Sequence, residues 1–235
     1  MLELASLSRA FGGLVVISQV DFKVEQGEIV GILGPNGAGK TTLFNMIAGV
    51  LPPSAGRIVF AGTDITQLRA WDRCRLGIGR TYQIPKPFTH MSVFENVLAA
   101  AVHGGKMSLS RAKQEAEAVL ARVGLAHRAL VPAGQLALLD TKQLELAKAL
   151  ALRPRLLLLD EIAGGLTEAE CDALVGKIRE VHKSGVTIVW IEHVIQALRQ
   201  VVTRLAVLSG GNFIAVGAPA DVLADRRVKE AYLGT

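Results

Sequence analysis

The chain has 235 residues, 50% of them hydrophobic and 20% charged, which is enough for a sizeable core and excludes a disordered or fibrous chain. Its formal net charge of +5 contains no block of five or six like charges, so it does not indicate a nucleic-acid-binding arm. Mean hydropathy is high, at +0.36, yet no apolar run approaches the roughly 18–20 residues that span a bilayer, and two distant cysteines, Cys74 and Cys171, suggest neither a disulfide framework nor a metal cluster.

In chain order, the stretch Met1–Ala10 carries Glu3 and Arg9 and lacks the basic-then-apolar form of a signal peptide, so an intracellular protein is expected. Glu28–Leu33 reads as an apolar strand that runs into Gly34-Pro35-Asn36-Gly37-Ala38-Gly39-Lys40-Thr41. That segment satisfies G-x-x-x-x-G-K-[ST], follows a strand and opens a helix over Thr42–Ala48. Its glycines let successive backbone N–H groups turn inward on phosphate oxygens, and the helix adds its positive end. Lys40 is expected to neutralise the β- and γ-phosphates, and the Thr41 hydroxyl to ligate Mg2+. Arg57–Phe60 and Gly77–Tyr82 are candidate strands. From about Ser92 to Leu152 the β-like signals fade. Ser110–Val123 carries a helical stripe of Ala112, Ala116, Val119, Leu120 and Val123, with Gly124 just past its end. Thr141–Leu152 reads as another helix, capped by Asp140 with Gln143 three residues on.

The run Leu156–Leu159 suits a strand buried on both faces and ends in Asp160-Glu161. Open α/β sheets bind ligands at that strand edge. Asp160 is expected to hold the Mg2+ through water, and Glu161 to polarise the water that attacks the γ-phosphate. A well-placed general base contributes about 10²–10⁴ in rate. Val186–Glu192 and Arg204–Leu208 repeat the strand pattern, and Ser209-Gly210-Gly211-Asn212 reads as a hairpin turn into Phe213–Val216. The alternation of strands and helices predicts an α/β fold, with a mostly helical insert dividing the core.

Phe11, Gln83 and His193 carry little meaning singly, but their order does. Aromatic, phosphate loop, Gln, helical insert, Asp-Glu, then His after the next strand resembles the nucleotide-binding subunit of ATP-binding-cassette (ABC) transporters, over nearly the whole chain. More narrowly it is similar to the ATP-binding subunit of branched-chain amino acid importers, through Phe11-Gly12-Gly13-Leu14, Gly79-Arg80-Thr81-Tyr82-Gln83, Met91-Ser92-Val93-Phe94-Glu95-Asn96-Val97, Ile191-Glu192-His193-Val194 and the tail Val228–Gly234. The resemblance implies a P-loop NTPase cassette with a RecA-like core, an N-terminal antiparallel β part and an inserted helical subdomain. Residues 1–83 and 155–235 would form the core and about 84–154 the subdomain. It implies ATP and Mg2+ as cofactors, with Phe11 stacking on adenine, Pro35, Asn36, Ala38 and Thr42 completing the nucleotide contacts, Gln83 touching Mg2+ and the attacking water, and His193 contacting the γ-phosphate. Residues of about Ile84–Asn96 would border the groove for a permease helix. Expected partners are a second ATPase subunit, transmembrane permeases and, indirectly, an extracytoplasmic solute-binding protein, with no nucleic acid. The expected location is the cytoplasmic face of the membrane, peripherally.

The resemblance lapses at one loop. Where the family bears a Leu-Ser-Gly-Gly-Gln-type signature, this chain has Leu136-Ala137-Leu138-Leu139-Asp140. In the family that loop crosses a dimer to the partner's γ-phosphate, using a hydroxyl, glycine N–H groups and a helix N-terminus. Here the hydroxyl is lost, Leu139 obstructs close approach, and Asp140 sets a carboxylate near an anion. This implies a head-to-tail heterodimer in which this chain's own phosphate loop faces an intact partner signature, while the partner's faces the altered loop; a homodimer is the alternative. Ile162 stands where proline usually follows, and Thr167 where Asn or Asp is usual. A non-catalytic ATP-binding regulatory subunit is the alternative reading. A soluble cassette acting on DNA or ribosomes would need a long coiled coil or second cassette, and a GTPase an Asn-Lys-x-Asp base reader; the chain has none of these.

Overall fold

The computed structural model describes residues 1–233. Strands β1 (Leu2–Phe11) and β2 (Leu14–Val24) form an antiparallel hairpin whose inward residues include Leu2, Leu4, Leu7, Ile17 and Val20. Strand β3 (Ile29–Leu33) is buried throughout and delivers the chain to helix α1 (Lys40–Ile47). Strands β4 (Ala55–Phe60) and β5 (Thr63–Asp64) follow, and β4 pairs with β1 to close a four-stranded antiparallel sheet, order β2-β1-β4-β5. Helix α2 (Ala70–Arg75) leads to β6 (Ile78–Arg80), a shorter strand than the expected 77–82.

Three helices then run without a strand between them: α3 (Val93–His103), α4 (Leu109–Val123) and α5 (Leu138–Leu150). Helix α4 buries the expected stripe and ends at Gly124, whose φ of 86° a side chain would resist. Helix α5 departs from the sequence reading. It begins three residues earlier, on Ala137, whose extended backbone makes the cap without any side-chain bond. Asp140 is therefore not the cap. It sits inside the first turn, where a carboxylate suits the helix dipole, and pairs with Arg128 at 3.6 Å. Gln143, buried in the helix interior, forms no capping box.

The second half alternates regularly: β7 (Leu156–Asp160), α6 (Glu168–Lys183), β8 (Thr187–Ile191), α7 (Ile195–Arg199), β9 (Arg204–Ser209), β10 (Asn212–Gly217), α8 (Pro219–Ala224) and α9 (Arg226–Leu233). The main sheet has six strands in the order β10-β9-β3-β8-β7-β6, parallel except for the β9–β10 hairpin. Alternate residues of its strands enter two cores. Leu157 and Leu159 join the helices α3 to α6, while Leu156 and Leu158 join α1 and the antiparallel sheet. That double burial explains the four-leucine run. No helix of the described residues is long and apolar enough to cross a membrane. Gly234, the last residue of the expected tail motif, lies outside the described residues.

Candidate functional site

The loop between β3 and α1 is shaped by close approach. A Cβ at Gly34 would lie 2.2 Å from the Leu208 carbonyl oxygen, and one at Gly39, with φ of 99°, would lie 2.7 Å from Ile17 Cδ1. Larger residues there would push the loop off β9 and the hairpin. The buried Lys40 folds back over the loop, its Nζ donating to the carbonyls of Gly34 (2.6 Å) and Pro35 (3.1 Å). Burial pushes the Lys40 ammonium below its ordinary value, while the charges of Glu161 and Asp160 pull the other way. Helix α1 carries no acidic residue in its first turn, so its positive end is left for an anion.

The acidic side of the site comes from the ends of β7 and β8. Asp160 is the last residue of β7 and only 2% exposed. Its Oδ2 accepts from Arg80 Nη2 at 2.8 Å, its backbone N–H donates to Thr81 Oγ1 at 3.1 Å, and its Oδ1 is buried with no partner among the described residues. Glu161 bends out of the strand with φ of 44°, a conformation that non-glycine residues adopt at a cost of order 1–3 kcal/mol. Its N–H is held by the Ile191 carbonyl at 2.8 Å, and its Oε2 accepts from Gln83 Nε2 at 2.6 Å. His193 follows β8, with Nδ1 3.7 Å from Glu161 Oε2 and 3.5 Å from Glu192 Oε2. Glu192, fully buried, braces this corner by accepting from the N–H groups of Ala163 (2.7 Å), His193 (3.0 Å) and Val194 (3.3 Å).

One pocket of about 320 Å³ joins these parts, lined by Asn36 to Thr42, Gln83, Glu161 and Val16. The structure thus brings together the loop, Gln83 and Glu161, with Asp160 beneath and His193 beside them. Gln83 is not at a strand end, as expected, but three residues beyond β6, because the ladder stops at Arg80. Phe11 does not line this pocket. It sits half exposed at the hairpin tip, with the Arg9 guanidinium 4.6 Å from its ring centre. Leu136 to Asp140 also lie outside the lining, forming the entry to α5.

Three residues at the site escaped the sequence reading. Arg80 ends the short strand β6, Lys142 is a lysine on the buried stripe of α5, and Glu192 closes an apolar strand. A charge standing where the hydrophobic pattern demands an apolar residue was the available signal for the last two. Tyr232 of α9 also reaches this region: burial pushes its hydroxyl up, against a smaller opposite pull from the Gly34 amide. A separate groove of about 330 Å³ is lined by Val50, Trp71, Cys74, Arg80, Tyr82 and Lys148 among others. No residue of Ile84–Asn96 lines it; the Lys86 N–H donates to Glu145 and the Lys86 carbonyl accepts from Lys148, both in its wall.

Residues 17–164 match the family model described as ABC transporter, and residues 214–235 match one described as branched-chain amino acid ATP-binding cassette transporter. The chain is 35% identical to the high-affinity branched-chain amino acid transport ATP-binding protein BraF of Pseudomonas aeruginosa, over 100% of this chain and 98% of that one. It is 33% identical to the lipopolysaccharide export system ATP-binding protein LptB of Escherichia coli, over 97% and 95%. Among solved structures, a nucleotide-free ATP-binding cassette from an ABC transporter superposes with a TM-score of 0.92 at 28% identity, covering 100% of this chain and 99% of that one. The ADP conformation of an ATP-binding cassette gives 0.91 at 29% identity, with the same coverage.

Proposed function

This chain belongs to the ABC transporter family as an ATPase subunit, and from that footing we propose that it drives import of branched-chain amino acids or related small solutes. The C-terminal match over residues 214–235 and the likeness to BraF support the solute class; the likeness to an export subunit makes the direction of transport a point for experiment.

The observation that carries the mechanism is the single pocket shared by the phosphate loop, Gln83 and Glu161. Backbone N–H groups between Asn36 and Thr42 would receive the phosphates, with Lys40 leaving its two carbonyls to meet them. The buried, unpartnered oxygen of Asp160, with the Thr41 hydroxyl and the Gln83 amide, suits a hard cation of the Mg2+ type, which when bound would neutralise phosphate charge. Glu161 would polarise the attacking water, oriented by Gln83 from one side and His193 from the other. Phe11 would stack on adenine with the ring face that Arg9 leaves open.

We further propose that residues 1–83 and 155–235 act as the core of one unit and about 84–154 as its helical arm. The unit would pair with a second ATPase subunit and lie against the cytoplasmic face of the membrane, held by permease subunits fed by a solute-binding protein. The groove beside Trp71 and Tyr82, with exposed rings and an aliphatic floor, would seat a permease helix. Two measurements test this. Calorimetry should detect Mg-ATP binding that Lys40→Ala abolishes, while Glu161→Gln keeps binding and lowers turnover about 10²–10⁴-fold. With permease and binding protein reconstituted, branched-chain amino acids should stimulate ATPase activity; stimulation by none of them would refute the solute class.

A further inference from the structure

Arg80 is placed by sheet register. It pairs with Leu158 in the parallel β6–β7 ladder, and side chains two apart share a face, so Arg80, Leu158 and Asp160 all turn toward α1. There the side chain is almost enclosed, 8% exposed. One fork nitrogen donates to Asp160 Oδ2 at 2.8 Å and the other to Asn45 Oδ1 of α1 at 2.6 Å. Its plane lies near the rings of Tyr82 (5.2 Å) and Phe44 (6.0 Å). Asp160 is thus tied by a single oxygen, while its other oxygen stays buried without a partner among the described residues.

We infer that Arg80 is a positioning residue for Asp160: it pins one carboxylate oxygen and reserves the other for the cation that accompanies the nucleotide. The inference rests on the proposed role of Asp160. The physical reason lies in the fork. A guanidinium anchored at Asn45 by one nitrogen presents the other to Asp160 Oδ2 at a set position and direction, whereas an ammonium, a point charge without a plane, has no second anchor to set its approach. Partners of this kind behind a metal ligand matter to metal affinity about 10-fold to 100-fold.

The test uses Mn2+ in place of Mg2+ and a non-hydrolysable ATP analogue, with free Mn2+ read by electron paramagnetic resonance against an analogue-only control. Arg80→Lys should weaken Mn2+ uptake by the protein–analogue complex about tenfold or more, with analogue affinity in excess chelator unchanged because the phosphate loop is untouched. The Mg2+ concentration for half-maximal ATPase should rise in step. Unchanged or tighter Mn2+ uptake in a folded Arg80→Lys protein would overturn the inference. Should that variant not fold, Asn45→Ala, which removes only the second anchor, should shift Mn2+ uptake in the same direction, and no shift there would overturn it equally. If the unaltered protein with analogue takes up no Mn2+ beyond the control, the proposed role of Asp160 fails first, and the inference with it.

Discussion

Lys142 brings a positive charge to the place where four acidic side chains converge. It is 4% exposed, and its Nζ donates to the Gln83 carbonyl at 2.8 Å. Burial pushes its ammonium down, while Glu192, Glu145, Glu161 and Asp160 pull it up. This lysine holds α5 to the segment that carries Gln83, and so sets where the Gln83 amide meets Glu161. Lys142→Met should cost about 1.5–3 kcal/mol through loss of a hydrogen bond from a charged group, read by urea unfolding, and should lower turnover with little effect on nucleotide binding. Glu161 shows the same economy at the backbone. Its strained φ of 44° turns the carboxylate from the strand into the pocket, and the bond to the Ile191 carbonyl keeps it there.

Among the elements, α3 and α6 begin with full capping boxes, Ser92 with Glu95 and Thr167 with Glu170, whereas α5 begins on an alanine. Ser92→Ala should cost about 1 kcal/mol, measured by thermal or chemical unfolding. Hydrogen bonds from the cap residues hold the Glu95 and Glu170 carboxyls below their ordinary 4.5. Because the folded value is the lower one, the stability these carboxylates contribute is present above 4.5 and is lost as pH falls through the folded value. The gap between Ser92→Ala and the unaltered protein should therefore narrow between pH 7 and pH 3. A gap that stayed the same across that range would show that Glu95 plays no part in the cap. The bare start of α5 is the altered loop. Leu138 stands about half exposed there, and Asp140 is engaged with Arg128 rather than free to cap.

At the scale of the whole molecule, the site and the groove share Arg80, whose guanidinium touches Asp160 while lining the cavity beside Trp71 and Tyr82. In the head-to-tail pairing we propose, the altered loop would bear on assembly. The alanine at position 137 would forgo a bond to a charged group worth about 1.5–3 kcal/mol, and Leu139 would obstruct close backbone approach. In a reconstituted pair with a partner that has an intact signature, Glu161→Gln should remove most ATP turnover, while the equivalent change in the partner should remove little. Turnover near normal with Glu161→Gln, and none with the partner's change, would reverse the assignment of the active site.

The main-sheet strands, the phosphate loop and the acidic end of β7 were legible in the chain because their signals are local: glycines at fixed spacing, apolar runs of strand length, a lysine at a helix start and a carboxylate at a strand end. The family resemblance rested on the order of such signals. The start of α5 was misplaced because Asp140 looks like a cap in isolation, and only Arg128, brought near by folding, reveals its actual partner. Arg80, Lys142 and Glu192 were hidden for the same reason. Their meaning lies in groups 80, 59 and 29 residues away, and a linear pattern carries no record of which distant polar groups will meet once water is excluded. Local spacing determined what the loop can grip; tertiary packing decided which charges stand around it.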